Sequence, residues 1–175
     1  MWQYSEILMD HFMNPRNVGS LDAPDGHSEV GSPQCGDAMY LDIDIDDEGR
    51  ISDIAFKTFG CAGAIASASA LTEMSRGLPV EDALKIRNSQ IAEYLGGMPP
   101  EKFHCSVMGH QALKAAVDNF NAKCDEISAI LNDEGIAPLL VRPGRVRLKA
   151  GDDAEKAANI LSEKIERKVL IEVEQ

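Results

Sequence analysis

The chain has 175 residues with 17 Lys and Arg against 29 Asp and Glu, a formal net charge of −12, and is 44% hydrophobic but only 5% aromatic. Such a chain is long enough for one ordinary core of aliphatic and small side chains, and its acidity argues against nucleic acid as the main partner while suiting basic protein surfaces. It shows neither a secretion signal in MWQYSEILMDHF nor a run approaching the roughly 18 apolar residues of a membrane helix, so a cytoplasmic protein is expected, in a reducing compartment where thiols persist.

Residues 3–13 place Tyr4, Ile7, Leu8 and Phe12 near helical spacing and predict a short amphipathic helix, stopped by Asn14-Pro15. Residues 15–33 are rich in Gly, Pro, Asp and Ser and read as a long loop with a short strand near its end. From Met39 to Asp46 apolar and mostly polar residues alternate, Asp47-Glu48-Gly49 supplies a turn, and Arg50–Phe59 returns, which predicts an antiparallel hairpin with one buried face. Gly60 closes that strand, and an alanine-rich helix over 62–76 follows, ended by Gly77-Leu78-Pro79. Two further helices are expected over 80–87 and 89–95, the second with Asn88 as its N-cap.

Gly96-Gly97-Met98-Pro99-Pro100 breaks the chain, and Val107, Leu113, Ala116, Val117 and Phe120 predict a longer amphipathic helix from Ser106 to about Ala122. After Cys124 the pattern changes. Residues 125–134 look helical, 139–148 extended but interrupted by Pro143-Gly144, 152–167 helical and charged, and 168–173 a strand. The expected organisation is therefore a first domain over 1–124 and a C-terminal extension over 125–175 of open role, a small helix–strand–helix–strand subdomain.

Four cysteines in a reducing compartment point to ligands or nucleophiles before disulfides. Cys35 lies in Pro33-Gln34-Cys35-Gly36-Asp37, Cys61 follows Gly60 at a strand-to-helix junction, and Cys105 follows His104 where the long helix starts. Helix N-termini favour the thiolate, the form that binds metal or attacks sulfur, and neighbouring glycines let the backbone approach an inorganic group. The three cysteines are far apart in sequence, so any site has to be assembled from separate loops. Asp37 stands two residues from Cys35, on the same face if that stretch is extended. A carboxylate is a harder and weaker cluster ligand than a thiolate, which suits cargo that must be released. On spacing alone, small buried hydrophobes and a structural zinc site with the same ligands remain open. Cys124 reads as structural, and His11, His27 and His110 stand in no cysteine or glycine setting.

Those stretches carry a resemblance. Asp10-His11-Phe12 through Asn14-Pro15-Arg16-Asn17, GSPQCGD over 31–37, FKTFGCAGAIA over 56–66 and GGMPPEKFHCSVM over 96–108 are similar to the IscU/NifU-type iron–sulfur scaffold proteins, most of all to the NifU amino-terminal module. The resemblance runs through residues 1 to about 123. It implies an α+β fold, a small antiparallel sheet with helices packed on one side, to which the extension adds an α/β piece. It implies that Cys35, Asp37, Cys61 and Cys105 surround the metal, with His104 as an alternative ligand and Lys102 as a nearby modulator. It also implies that Cys105 is the first acceptor of sulfur from a cysteine desulfurase.

The implied activity is that of a scaffold, not a classical enzyme. A [2Fe–2S] cluster is assembled from iron and persulfide sulfur with an electron donor, then passed to apo-proteins. A homodimer sharing a cluster and zinc in the protein as isolated are both compatible with this. The alternative is a zinc-dependent sulfur transferase of the SufU type; His104, and the lack of an obvious insertion between the second and third cysteines, favour the scaffold. Met98-Pro99-Pro100-Glu101-Lys102 stands where bacterial members carry a leucine-proline-proline-valine-lysine motif, and the acidic residue counts against an Hsp70-type chaperone partner. Residues 125–175 hold no cysteine, so no further permanent cluster is expected.

Overall fold

A computed structural model describes residues 4–32, 36–99, 103–165 and 168–174, with the side chains of Ser32 and of 103–106 outside the description. The chain divides into two units, Met1–Val117 and Asp118–Gln175.

In the first unit, α1 (Glu6–Met13) leads into a three-stranded antiparallel sheet of β1 (Gly26–Ser32), β2 (Asp37–Ile45) and β3 (Ile51–Phe59), in that spatial order. The predicted hairpin is the β2–β3 pair, and the short strand expected late in the loop is β1, which joins it along β2. Met39, Leu41, Ile43 and Ile45 of β2 and Ile51, Ile54 and Phe56 of β3 are buried. The polar positions of β2 are not simply solvated. Asp42 is 6% exposed because the loop before β1 folds over it, with Leu21 N–H donating to its Oδ2 at 3.1 Å and His27 Nδ1 lying 2.6 Å from its Oδ1. Burial, with Asp25, Asp53 and Asp42 nearby, pushes the Asp44 carboxyl above its usual range.

Helix α2 (Ala62–Ser75) leaves β3 after a single tight corner. Gly63, Ala64, Ala66, Ser67, Ala68, Ser69, Ala70 and Leu71 are all buried, so the helix is enclosed on nearly every side, as only small side chains allow at close helix and sheet distances. The segment expected as a helix over 80–87 is one turn, α3 (Val80–Ala83), and the next is α4 (Asn88–Tyr94). Asn88 is not the cap but the first helical residue; Arg87 is the N-cap, and its N–H donates to Gln90 Oε1 at 2.9 Å.

The long helix is longer than its apolar pattern suggested. Helix α5 runs Phe103–Asp133, 31 residues without a break, so the two helices expected over 106–122 and 125–134 are one. Nothing in the chain from Gly109 to Gly135 stops it: its buried stripe continues from Ala112, Leu113, Ala116 and Val117 in the first unit to Phe120, Ile127 and Leu131 in the second. In the first unit its backbone comes so near β1 that a Cβ on Gly26 would sit 2.3 Å from Ala116 O.

The second unit adds β4 (Leu140–Arg142), β5 (Arg145–Leu148), α6 (Ala154–Lys164) and β6 (Leu170–Val173). Pro143-Gly144 is the two-residue turn of an antiparallel β4–β5 hairpin, and β6 returns through α6 to pair parallel with β5. Ile127, Leu131, Ile136, Val146, Leu148, Ala157 and Leu161 form this unit's own core. Cys124 lies within α5, where its thiol donates to Val141 O at 3.5 Å. Among the described residues no helix is long and apolar enough to cross a membrane.

The loop carrying Asn14-Pro15-Arg16-Asn17 ties α1, α2 and β3 together. His11 is 3% exposed. Ser69 Oγ accepts the Arg16 N–H at 2.9 Å and lies 2.8 Å from His11 Nδ1, and His11 Nε2 lies 3.7 Å from Glu73. Asn17, in a left-handed conformation at φ 58°, accepts the Phe56 N–H through its carbonyl and donates from Nδ2 to Thr72 Oγ1. Burial, and then the Arg16 charge, hold the His11 pKa below its usual 6.5. The unfolded chain therefore takes up this proton first as pH falls, and stability drops through the range below 6.5. Urea midpoints measured against pH should fall there, and His11→Gln should remove part of that slope; an unchanged slope would show that His11 is not neutral in the fold.

Candidate metal centre

The β2–β3 register pairs Ala38 with Phe59, so the start of β2 lies beside the end of β3, and Asp37 comes level with the corner that leads to Cys61. Gly60 shows how close they are. A Cβ built there would meet Asp37 Cγ at 2.9 Å, Asp37 Oδ2 at 3.0 Å and Ala64 Cβ at 3.0 Å. The carboxylate of Asp37 thus occupies the space over Gly60 that a side chain would fill, against the residue that precedes Cys61. Glycine here makes room for a protein carboxylate, a use that the sequence reading of glycines beside an inorganic group did not anticipate.

Cys61 is the N-cap of α2, with extended backbone and no capping hydrogen bond from its side chain; its carbonyl accepts the N–H groups of Ala64 and Ile65 at 2.9 and 3.1 Å. The thiol is half-buried and outside any disulfide. At this end of the helix the unpaired N–H groups favour negative charge. Phe59, two residues before it, is 70% exposed; nothing in the strand's alternation flagged an aromatic ring left in solvent beside the site.

Cys35 and Lys102 lie outside the described residues. Cys105 and His104 fall in the first turn of α5, with only their backbone described. Gly36 has φ +67°, a left-handed conformation that favours glycine, so the backbone is not extended at that residue. Of the predicted ligands, Asp37 and Cys61 are those the described side chains bring to one corner. Among the described residues, no three His, Cys, Asp or Glu side chains group as a metal site. The histidine that the sequence reading set aside, His11, lines a separate cavity of about 510 Å³ with Arg16, Glu73 and Tyr94.

Gly60→Ala should lower stability by about 1–3 kcal/mol through overpacking against Asp37, read from urea unfolding. In a double-mutant cycle Asp37→Ala should recover part of that loss. Additive effects would mean that the carboxylate does not occupy this space.

Comparison with known proteins places the first unit. Residues 3–126 match the family model described as the NifU-like N terminal domain. The iron-sulfur cluster assembly scaffold protein IscU of Haemophilus influenzae is 53% identical over 123 residues, 69% of this chain and 97% of that protein. The nitrogen fixation protein NifU of Azotobacter chroococcum mcd 1 is 50% identical over 124 residues, 70% of this chain but 40% of that protein. The chain therefore spans two fifths of the NifU protein it matches, and nearly all of the IscU.

Two solved structures share the fold: a putative iron-sulfur cluster assembly scaffold protein for the SUF system from Fervidobacterium islandicum AW-1, with TM-score 0.56 at 22% identity over 65% of this chain and 96% of that one, and a NifU-like protein (N-terminal) from Brucella abortus, with TM-score 0.55 at 20% identity over 68% and 94%. The antiparallel sheet with its enclosed helix, the motif stretches along it and the half-identical relatives agree: this chain belongs to the NifU-like N-terminal domain family, the IscU/NifU type of iron–sulfur scaffold.

Proposed function

We propose that this chain is a scaffold on which a [2Fe–2S] cluster is assembled and from which it is transferred to apo-proteins, with Cys35, Asp37, Cys61 and Cys105 as the ligands. The observation that carries the reading is the Asp37 carboxylate held over Gly60 beside Cys61 at a helix start. A thiolate favoured by the helix end and a weaker oxygen ligand at one corner form half of a site that grips iron without locking it in. Family membership with scaffold proteins of about half-identical sequence supports the rest.

In this reading Cys105 accepts sulfur. Its thiolate attacks the outer sulfur of a cysteine desulfurase persulfide, the desulfurase cysteine leaves as thiolate, and Cys105 becomes the persulfide. An electron donor then supplies two electrons per sulfur to release sulfide onto iron held by the cysteines. His104 serves as an alternative ligand and Lys102 modulates the charge at the site. The scaffold is a carrier, partnered by the desulfurase, the electron donor and acceptor apo-proteins, and by a second copy if the cluster is shared.

Anaerobic reconstitution with iron, sulfide and thiol should give a brown protein with visible absorption and equal iron and acid-labile sulfide. Serine at Cys35, Cys61 or Cys105 should abolish stable assembly, whereas Cys124→Ser should not, since that thiol is engaged with Val141 in the second unit. Asp37→Ala should slow loss of the cluster to a chelator, because the labile ligand provides a route for exchange. A colourless protein holding one zinc and accepting sulfur would instead establish the transferase reading, and normal assembly without Cys61 would defeat the ligand set.

A further inference from the structure

The core face of the β2–β3 pair ends in a residue of unexpected polarity. Along that face the antiparallel register sets Ile43 opposite Ile54, Leu41 opposite Phe56 and Met39 opposite Thr58. The other five side chains are apolar and buried, while Thr58 is half-buried and carries a hydroxyl. Alternation calls for an aliphatic residue at this position. The hydroxyl has a use here: Thr58 Oγ1 donates to Ala38 O at 2.8 Å, across the two strands.

That bond falls next to the candidate centre. Ala38 is the first residue of β2 to pair with β3, and Asp37 before it is paired with Ser32 of β1. The Asp37 carboxylate lies in the space that a Cβ on Gly60 would fill, two residues beyond Thr58. Among the described residues no hydrogen bond or ion pair holds that carboxylate, so its place depends on where the backbone carries it. The Thr58 hydroxyl fastens that backbone one residue away, at the end of the ladder where strands fray.

We infer that Thr58 is a positioning residue for the metal centre, whose hydroxyl fixes the Ala38 carbonyl and so keeps Asp37 over Gly60 beside Cys61. Its consequence for cluster release rests on Asp37 being a ligand, as proposed above. The placement of the carboxylate is a property of the metal-free chain and is open to test without any cluster. Thr58→Val keeps the shape and removes the donor, and Thr58→Ser keeps the donor.

Both variants are made in the full chain, alone and combined with Gly60→Ala or Asp37→Ala. In metal-free protein, urea unfolding should show Gly60→Ala costing less in Thr58→Val than in the native background, because a released carboxylate yields to the added methyl; in Thr58→Ser the cost should be the native one. After anaerobic reconstitution, Thr58→Val should slow the loss of visible absorption to a chelator by up to about fivefold, the worth of one hydrogen bond. Thr58→Ser should restore the native rate, and Thr58→Val should add nothing in the Asp37→Ala background. An equal Gly60→Ala cost in all three backgrounds would overturn the inference, whatever the cluster does. So would a Thr58→Val effect of the same size without Asp37, the mark of a merely structural role. A loss rate that Asp37→Ala leaves unchanged would defeat the ligand reading and with it Thr58's part in release, while the metal-free cycle would still decide whether the hydroxyl holds the carboxylate.

Discussion

Helix α2 is enclosed by its neighbours almost all the way round, and the first unit is arranged by the close approach that this enclosure demands. Its buried face is Gly, Ala and Ser for most of its length. A larger side chain at these positions would push away the sheet or a neighbouring helix, at the usual cost of overpacking. Gly109 of α5 shows the same constraint from the other side, since a Cβ there would meet Leu71 Cδ2 at 3.0 Å. Because α2 is wedged in place, its first turn is fixed in space, and Cys61 with it.

The chemistry of the site follows from that fixed corner. The strand leading into α2 and the strand beside it end level with one another, so the residue that opens β2 and the glycine that closes β3 face each other. A carboxylate then lies where a Cβ would be. Backbone register, set by many ladder hydrogen bonds, thus holds the Asp37 carboxylate against the glycine that precedes Cys61. The loop over 15–25 adds rigidity by turning outward strand positions into anchors, with Asp42 and Asp44 accepting backbone N–H groups of Leu21 and Asp25.

The stretch Asp10 to Asn17 is part of the same support. It was legible as a family motif but offered no hint of its work, because the contacts that tie it to the fold are to distant segments: His11 to Ser69, Arg16 to Ser69 and Glu73, Asn17 to Thr72 and Phe56. It braces α1 against α2 and β3. The second unit has its own core and its own mixed sheet, and the family match ends at residue 126, inside the helix that runs into it.

Local pattern alone established the strand pair, the small-residue helix, the break at Pro143-Gly144, which the structure makes the turn of a hairpin, and the cysteines set beside glycine or at helix starts. Each of these is written in period, in Gly and Pro punctuation, or in residue type over a few neighbours. Tertiary structure alone decided the rest. Whether α5 continued through Asn119 to Glu126 depended on a second core waiting for Ile127 and Leu131; whether Asp42 met solvent depended on a loop twenty residues earlier; and whether Gly60 made room for a cluster or for Asp37 depended on strand register. These outcomes are set by which distant segments pack together, and a side chain's neighbours in space are not its neighbours in the chain.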